Sequence, residues 1–265
     1  MQNKIDAKHP ILLVVLALLL MSFTGLNTTH FYGNTPVDLK GKDPLKKSTE
    51  VSSSRALWKQ YTYSNYQCLN DSTLPFEAFQ QGLKGFYNLK EEGELTNDSI
   101  LTIIDFTQHS SHQRMYLINV STFRVIDKTL CAHGKNTGGA FAKNFSNRSG
   151  SLQSSLGFYI TAETYSGKFD YALRLDGVEF SNSLARPRGI VMHGASYATP
   201  QFLKRNNNVL GRSFGCPALP ENVAKKYIDQ IKEGSCLFIY GNSATYERRA
   251  ELIHDNSHLE DFDLF

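Results

Sequence analysis

The chain is short of most features that would classify it quickly. Its 265 residues include four cysteines, one tryptophan and eight prolines, and its net charge is only +3. Four cysteines are too few for a fold built on disulfides. Lysine and arginine barely outnumber aspartate and glutamate, 28 to 25, which gives no basis for a nucleic-acid-binding surface. The longest apolar run, residues 11–21, falls well short of the ~20 residues that a membrane-spanning helix needs. No internal repeat is present, and no low-complexity tract lies beyond the polar N-terminal segment. His109 and His112 sit in a serine-rich turn with no cysteine or carboxylate at zinc spacing, so a solvated turn is expected and neither metal nor cofactor is implied.

What is present suits an exported enzyme of ordinary size. Hydrophobic residues make up 41% of the chain and aromatics 12%, enough to bury a full core. Lys4 and Lys8 precede the apolar run, as in an export signal. No Ala-x-Ala cleavage site follows, which leaves a membrane anchor through residues 11–23 open. The periplasm or cell envelope is therefore the expected location, and a monomer the expected state. Residues 1–26 read as signal or anchor, 27–54 as a polar linker that cannot fold alone, and 55–95 as a helical cap. In the cap, Thr73-Leu74-Pro75 reads as a start, followed by Phe76, Phe79, Leu83 and Phe86 at helical spacing. Gly82 and Gly85 interrupt that helix at a cost of about 1 kcal/mol each against alanine.

Residues 96–243 read as a mainly β catalytic domain. Seven short β-branched and aromatic runs, at 100–106, 113–120, 122–131, 157–163, 171–175, 189–192 and 235–240, are expected strands. Val223, Ala224, Tyr227, Ile228 and Ile231 have helical spacing after Pro220, and Gly234 stops them. That helix's positive end is expected near Cys216. The long segment 134–155, rich in Gly, Ser and Asn, is expected to be functional. Segment 196–210 reads as an exposed loop, and 244–265 as a C-terminal tail.

The chemistry concentrates in Gly211-Arg212-Ser213-Phe214-Gly215-Cys216-Pro217, preceded by Val191-Met192-His193-Gly194. A thiolate is the nucleophile, and an ordinary thiol with a pKa of about 8.5 needs a nearby imidazole or helix N-terminus to ionise at neutral pH. Glycine before Cys216 and proline after it imply a constrained turn that displays the thiol. His193, at the end of an apolar strand, is the candidate base, and His133, also followed by glycine, its rival. With Cys216 kept free, at most one disulfide joins Cys68, Cys131 and Cys236, and buried thiols are equally compatible. Arg174, Arg186, Arg188 and Arg205 read as ordinary surface charges, whereas Arg212 adjoins the motif.

These motifs resemble the L,D-transpeptidases of bacterial cell walls, the YkuD-like family. Cys131-Ala132-His133-Gly134, Ser154-Ser155-Leu156-Gly157 and Arg188-Gly189-Ile190-Val191-Met192-His193 extend the resemblance over roughly residues 75 to 242. Two features depart from the common pattern: Phe214 replaces a second histidine before Gly-Cys, and the spacing from His193 to Ser213 is longer. The resemblance implies a β-sandwich catalytic core and a Cys216 nucleophile with His193 as its base, oriented by the Gly194 carbonyl. It also implies an oxyanion turn at Ser213, Phe214 and Gly215, with Arg212, His133 and Tyr197 contacting substrate. The implied substrate is a peptidoglycan stem peptide. Release of D-alanine through a Cys216 thioester, with transfer of the acyl group to an amine or to water, is the implied outcome; a cell-wall cysteine peptidase without transfer and a catalytically inert murein-binding relative are the alternatives.

Overall fold

A computed structural model describes residues 44–168 and 170–256. The signal or anchor and residues 27–43 of the linker lie outside the described residues. Among the described residues no helix is long and apolar enough to cross a membrane.

Eight strands make one continuous ladder: β1 (Asn97–Asp105), β2 (Met115–Asn119), β3 (Arg124–Thr129), β4 (Gly157–Gly167), β5 (Asp170–Gly177), β6 (Val191–Ala195), β7 (Ala218–Pro220) and β8 (Ser235–Tyr240). Their order is β3-β2-β1-β8-β4-β5-β6-β7. The mainly β core is as expected, and β8 has the expected bounds. It lies at the centre, parallel to β1 and antiparallel to β4, and all its residues are buried, which is why it reads as an unbroken apolar run. β7, three residues ending in proline, is too short to show alternation and leaves no strand signal in the sequence.

The helical cap consists of α1 (Pro44–Cys68) and α2 (Phe76–Glu91). Expected to begin near residue 55, α1 instead extends back through residues 44–54 of the supposed linker. Trp58 and Tyr61 on α1 pack edgewise against Tyr87 of α2, and Tyr61 also meets Phe123, so aromatic contacts outweigh its weak sequence pattern. The expected Thr73 cap is a correction: α2 starts after Pro75 without a side-chain cap, and the Thr73 hydroxyl lies 3.0 Å from that of Tyr116. Gly82 and Gly85 mark the closest approach of α2 to the sheet. A Cβ on Gly85 would overlap the Phe158 ring, which stacks on Phe238 at 4.3 Å, and one on Gly82 would stand 2.9 Å from Ile103 Cδ1.

Two segments expected to be irregular are folded. Residues 196–210 hold a 3-10 turn (Ser196–Ala198) and α3 (Pro200–Arg205), whose N-cap Thr199 accepts from Phe202 N at 3.2 Å. Ala198, Leu203 and Leu210 bury themselves with Leu130, Ala132, Ala195 and Ala218 in a small second core. The exposed-loop expectation fails because three apolar residues spaced through a polar segment suffice to anchor it. After α4 (Glu221–Ile231), the supposed tail from residue 244 is α5 (Ala244–Arg249) and α6 (Glu251–His254). Tyr246 and Leu252 are buried, and Asn88 Nδ2 on α2 donates to Leu252 O at 2.8 Å. Residues 257–265, the acidic end, lie outside the described residues.

Helix propensity alone favours alanine over glycine by about 1 kcal/mol, whereas forcing a methyl into a packed core costs about 1–3 kcal/mol. Gly85→Ala is therefore expected to lower unfolding stability by up to about 2 kcal/mol in urea titrations, while Gly139→Ala, where a Cβ meets nothing within 4 Å, stays near neutral. A midpoint for Gly85→Ala at or above wild type would contradict the close seating of α2 on β4 and β8.

Candidate active site

The Ser213–Cys216 turn is braced from several sides. Within it, Ser213 Oγ donates to Cys216 O at 2.6 Å and accepts from Gly215 N at 3.1 Å. Gly215 has φ +132, a conformation that glycine adopts without strain. Outside it, Ser213 N donates to His133 O at 3.0 Å, Lys135 N to Ser213 O at 2.7 Å, and Ala132 and Ala218 exchange both backbone bonds. The buried Ser154 hydroxyl accepts from Gly134 N at 3.0 Å and donates to Gly215 O at 2.9 Å, joining the 134–155 segment to the turn. Gly134 has no space for a side chain: a Cβ would stand 2.7 Å from Leu152 O and 3.0 Å from Gly215 Cα.

The backbone segments that carry Cys216 and His193 adjoin where β6 meets β7. His193 pairs with Ala218 in the parallel ladder, and His193 N donates to Pro217 O at 3.4 Å. Val191 N approaches Cys216 Sγ at 3.4 Å, and Sγ lies 3.8 Å from Gly189 O. His193 Nδ1 lies 2.8 Å from Gly194 O, as expected of an orienting carbonyl. With Nδ1–H donating there, Nε2 is the basic nitrogen. Burial pushes the His193 imidazole below its ordinary 6.5, the Gly194 bond opposing it. Burial also pushes the Cys216 thiol up, with the Val191 N–H and the Arg188 guanidinium pulling the other way. Both groups therefore rest neutral. The expectation of a displayed thiol is corrected: Cys216 is 7% exposed, because the turn folds its sulfur back onto β6 while Phe214, 67% exposed, points outward.

The α4 N-terminus does not reach the sulfur. β7 intervenes, and three extended residues span roughly 10 Å, beyond the first-turn range of a helix dipole. The turn also offers fewer oxyanion donors than expected, since Ser213 N–H goes to His133 and Gly215 N–H to the Ser213 hydroxyl. The N–H groups of Phe214 and Cys216 are the remaining candidates.

His133 is 1% exposed, with Nδ1 2.7 Å from Arg114 Nη2 and Nε2 3.3 Å from Gly138 O. Burial, then the Arg114 charge, lowers it to about 4, so it is neutral and walled in behind the turn rather than open to substrate. Arg212 is exposed and donates to Gly138 O at 3.2 Å. Tyr197 lines a cleft of 560 Å³ that reaches His193, Gly194, Asp170, Lys168 and Glu221.

Two arginines matter beyond what the sequence suggests. Arg188, grouped there with surface charges, is half-buried and donates to Ser146 O at 2.8 Å, Ser155 Oγ at 2.6 Å and Gln153 O at 2.7 Å while facing the thiol electrostatically. Arg114, wholly buried, donates twice to Cys131 O and once to Gln108 O, and is lowered to about 10 by burial. The sequence trace of Arg188 is its place at the head of the Arg188–His193 run that carries the resemblance, and nothing in that run signals these contacts. By contrast, Arg174 and Arg186 are paired with surface carboxylates as expected. All four cysteines are free, Cys68 exposed and the others buried.

Residues 70–240 match the family model described as L,D-transpeptidase catalytic domain, and the chain belongs to that family. Among solved structures it is similar to an L,D-transpeptidase from Mycobacterium smegmatis, at 13% identity and TM-score 0.35 over 54% of this chain and 59% of that one. It is also similar to one from Xylanimonas cellulosilytica, at 15% identity and TM-score 0.33 over 54% and 60%. A third, from Mycobacterium tuberculosis, shows 15% identity and TM-score 0.36 over 54% and 58%. The chain thus spans under two thirds of the length of these structures. Comparison with curated proteins found no match.

Arg188→Met is expected to raise the pH at which Cys216 ionises, read as an upward shift in the pH profile of iodoacetamide alkylation, with Arg188→Lys restoring part of the difference. An unchanged profile in Arg188→Met would remove Arg188 from the electrostatics of the thiol.

Proposed function

We propose that the protein is an L,D-transpeptidase acting on peptidoglycan stem peptides, with Cys216 as nucleophile and His193 as base. One observation carries the reading. Within a member of this family, an imidazole oriented by its neighbour's carbonyl stands on β6, the strand whose Val191 N–H approaches the thiol of the braced turn at 3.4 Å. His193 Nε2 takes the Cys216 proton as sulfur attacks the carbonyl joining the third, diamino residue of the stem to its terminal D-alanine. The amide C–N bond breaks, the proton passes to the departing amine, and D-alanine leaves a thioester on Cys216. An amine from a neighbouring stem then attacks the thioester to give a crosslink between two third residues, or water attacks and the enzyme acts as an L,D-carboxypeptidase. A developing oxyanion would be met by the N–H groups of Phe214 and Cys216, where a single donor is typically worth about 3 kcal/mol. The substrate lies outside the cytoplasmic membrane, so the reading includes export to the cell envelope. The cleft beside Tyr197 and the exposed Arg212 are the proposed substrate contacts.

A second reading, an inert murein-binding relative, is favoured by the 7% exposure and raised pKa of Cys216. Acylation by a penem, followed as the mass of the intact protein, separates the two. Under the first reading an adduct forms on wild type and vanishes in Cys216→Ala. No adduct on wild type would leave the binding-only reading standing.

The acid limb of the acylation rate has a definite sign. His193 must be neutral to act as base, and its pKa lies below 6.5, so the rate should hold through pH 6.5 and fall only as pH drops through that lower value. His193→Gln is expected to cost 10²-fold or more, in the range of general-base catalysis, and to abolish the limb. A limb centred above 6.5, or one retained in His193→Gln, would assign the base elsewhere. Product analysis with purified stem peptides then divides transfer from hydrolysis: dimers joined through third residues support the transpeptidase, and free tripeptide alone supports the carboxypeptidase.

A further inference from the structure

Arg114, just before β2, is wholly buried, yet its guanidinium hydrogen-bonds to no carboxylate among the described residues. It donates to neutral acceptors instead: to Cys131 O from Nε at 2.9 Å and from Nη2 at 2.8 Å, to Gln108 O from Nη1 at 2.8 Å, and to the ring nitrogen Nδ1 of His133 from Nη2 at 2.7 Å. The Phe106 ring covers both partners, its centre 4.8 Å from the guanidinium carbon and 5.7 Å from the centre of the imidazole, which it meets edge-on. Burying a charge away from any hydrogen-bonded counter-ion is costly, so Arg114 is expected to do more than fill space.

The guanidinium settles the state of His133. Arginine donates and never accepts, so Nδ1 must present its lone pair. Burial and the Arg114 charge keep the ring neutral, and its one proton then sits on Nε2. That Nε2–H faces Gly138 O at 3.3 Å, and the same carbonyl accepts from Arg212 Nη1 at 3.2 Å. The backbone oxygen of His133 accepts from Ser213 N at 3.0 Å. Arg212 and Ser213, the two residues that lead into the turn, are thus both tied to His133, one through Gly138 and the other directly. Position 138 has little slack, because a Cβ there would stand 2.1 Å from Phe141 O. We propose that His133 is a positioning residue for the nucleophile turn, and that Arg114 fixes which of its ring nitrogens carries the proton. For its effect on catalysis the proposal rests on the reading of Cys216 as nucleophile; the tether itself does not.

Nitrogen NMR of the full wild-type chain with labelled histidine reads the tautomer directly, whether or not any variant folds. An Nε2–H imidazole is expected for His133 at neutral pH, and an Nδ1–H ring or an imidazolium would overturn the proposal. Two variants then separate the ring's contacts. Glutamine can keep an N–H on Gly138 O, whereas the shorter asparagine can keep an acceptor for Arg114 but does not reach Gly138. Amide hydrogen exchange at Ser213 is expected to quicken about tenfold or more in His133→Asn, the effect of one lost hydrogen bond, and to stay within about threefold of wild type in His133→Gln. The maximal rate of penem acylation at Cys216 should follow the same order, with the half-saturating penem concentration little changed. Equal behaviour of the two variants, or a loss of thermal stability with exchange and acylation left at wild-type values, overturns the proposal. A wild type that forms no penem adduct while the exchange difference holds would sink the nucleophile reading and leave the positioning role standing.

Discussion

The hydrogen bonds that clamp the Ser213–Cys216 turn are the constraint on which the candidate site depends. Three parts of the chain converge there: the segment around His133 and Gly134, Ser154 from the far end of the 134–155 excursion, and β6. Their contacts are mostly to backbone, so they fix the turn's path without regard to which side chains it displays. That leaves position 214 free to carry phenylalanine in place of the histidine of the pattern it resembles. Its side chain points to solvent, and the bracing takes place behind it.

The clamp sets the electrostatic state of the pair it positions. Ordinary values of 9.0 for a thiol and 6.5 for an imidazole already leave proton transfer from sulfur to nitrogen uphill by about 3.5 kcal/mol, at about 1.4 kcal/mol per pKa unit. Burial of both groups widens that gap. Arg188 and the Val191 N–H narrow it from the sulfur side. Both groups thus rest neutral in the free protein. A neutral, buried thiol also resists oxidation, because reactivity follows thiolate character and exposure.

Much of this was legible in the sequence where a signal is local. Short β-branched and aromatic runs located seven of the eight strands, and the Ser-x-Gly-Cys turn and the His193-Gly194 strand end marked the two segments that the fold brings side by side. What was not legible depends on contacts between segments far apart. The glycines of α2 look like defects until the Phe158 ring is seen against them. Residues 196–210 look like solvent-exposed loop because their three anchoring apolar residues match no regular period. Arg188 and Arg114 are indistinguishable from surface cations by type and spacing, and only the carbonyls and hydroxyls gathered around each separate them from Arg174 and Arg186. The thiol's burial was misjudged for a related reason: glycine and proline around a cysteine specify a bend, but not which way it faces.

The uneven exposure of the four cysteines has a practical consequence. Cys68, at the end of α1, is open to solvent, whereas Cys131, just past β3, and Cys236, on β8, are fully buried and Cys216 is shielded. A bulky, unselective thiol reagent should therefore mark the helical cap long before it touches the proposed nucleophile. Only a probe that first docks in the groove would reverse that order, so the sequence in which the two sulfurs react reports on recognition by itself.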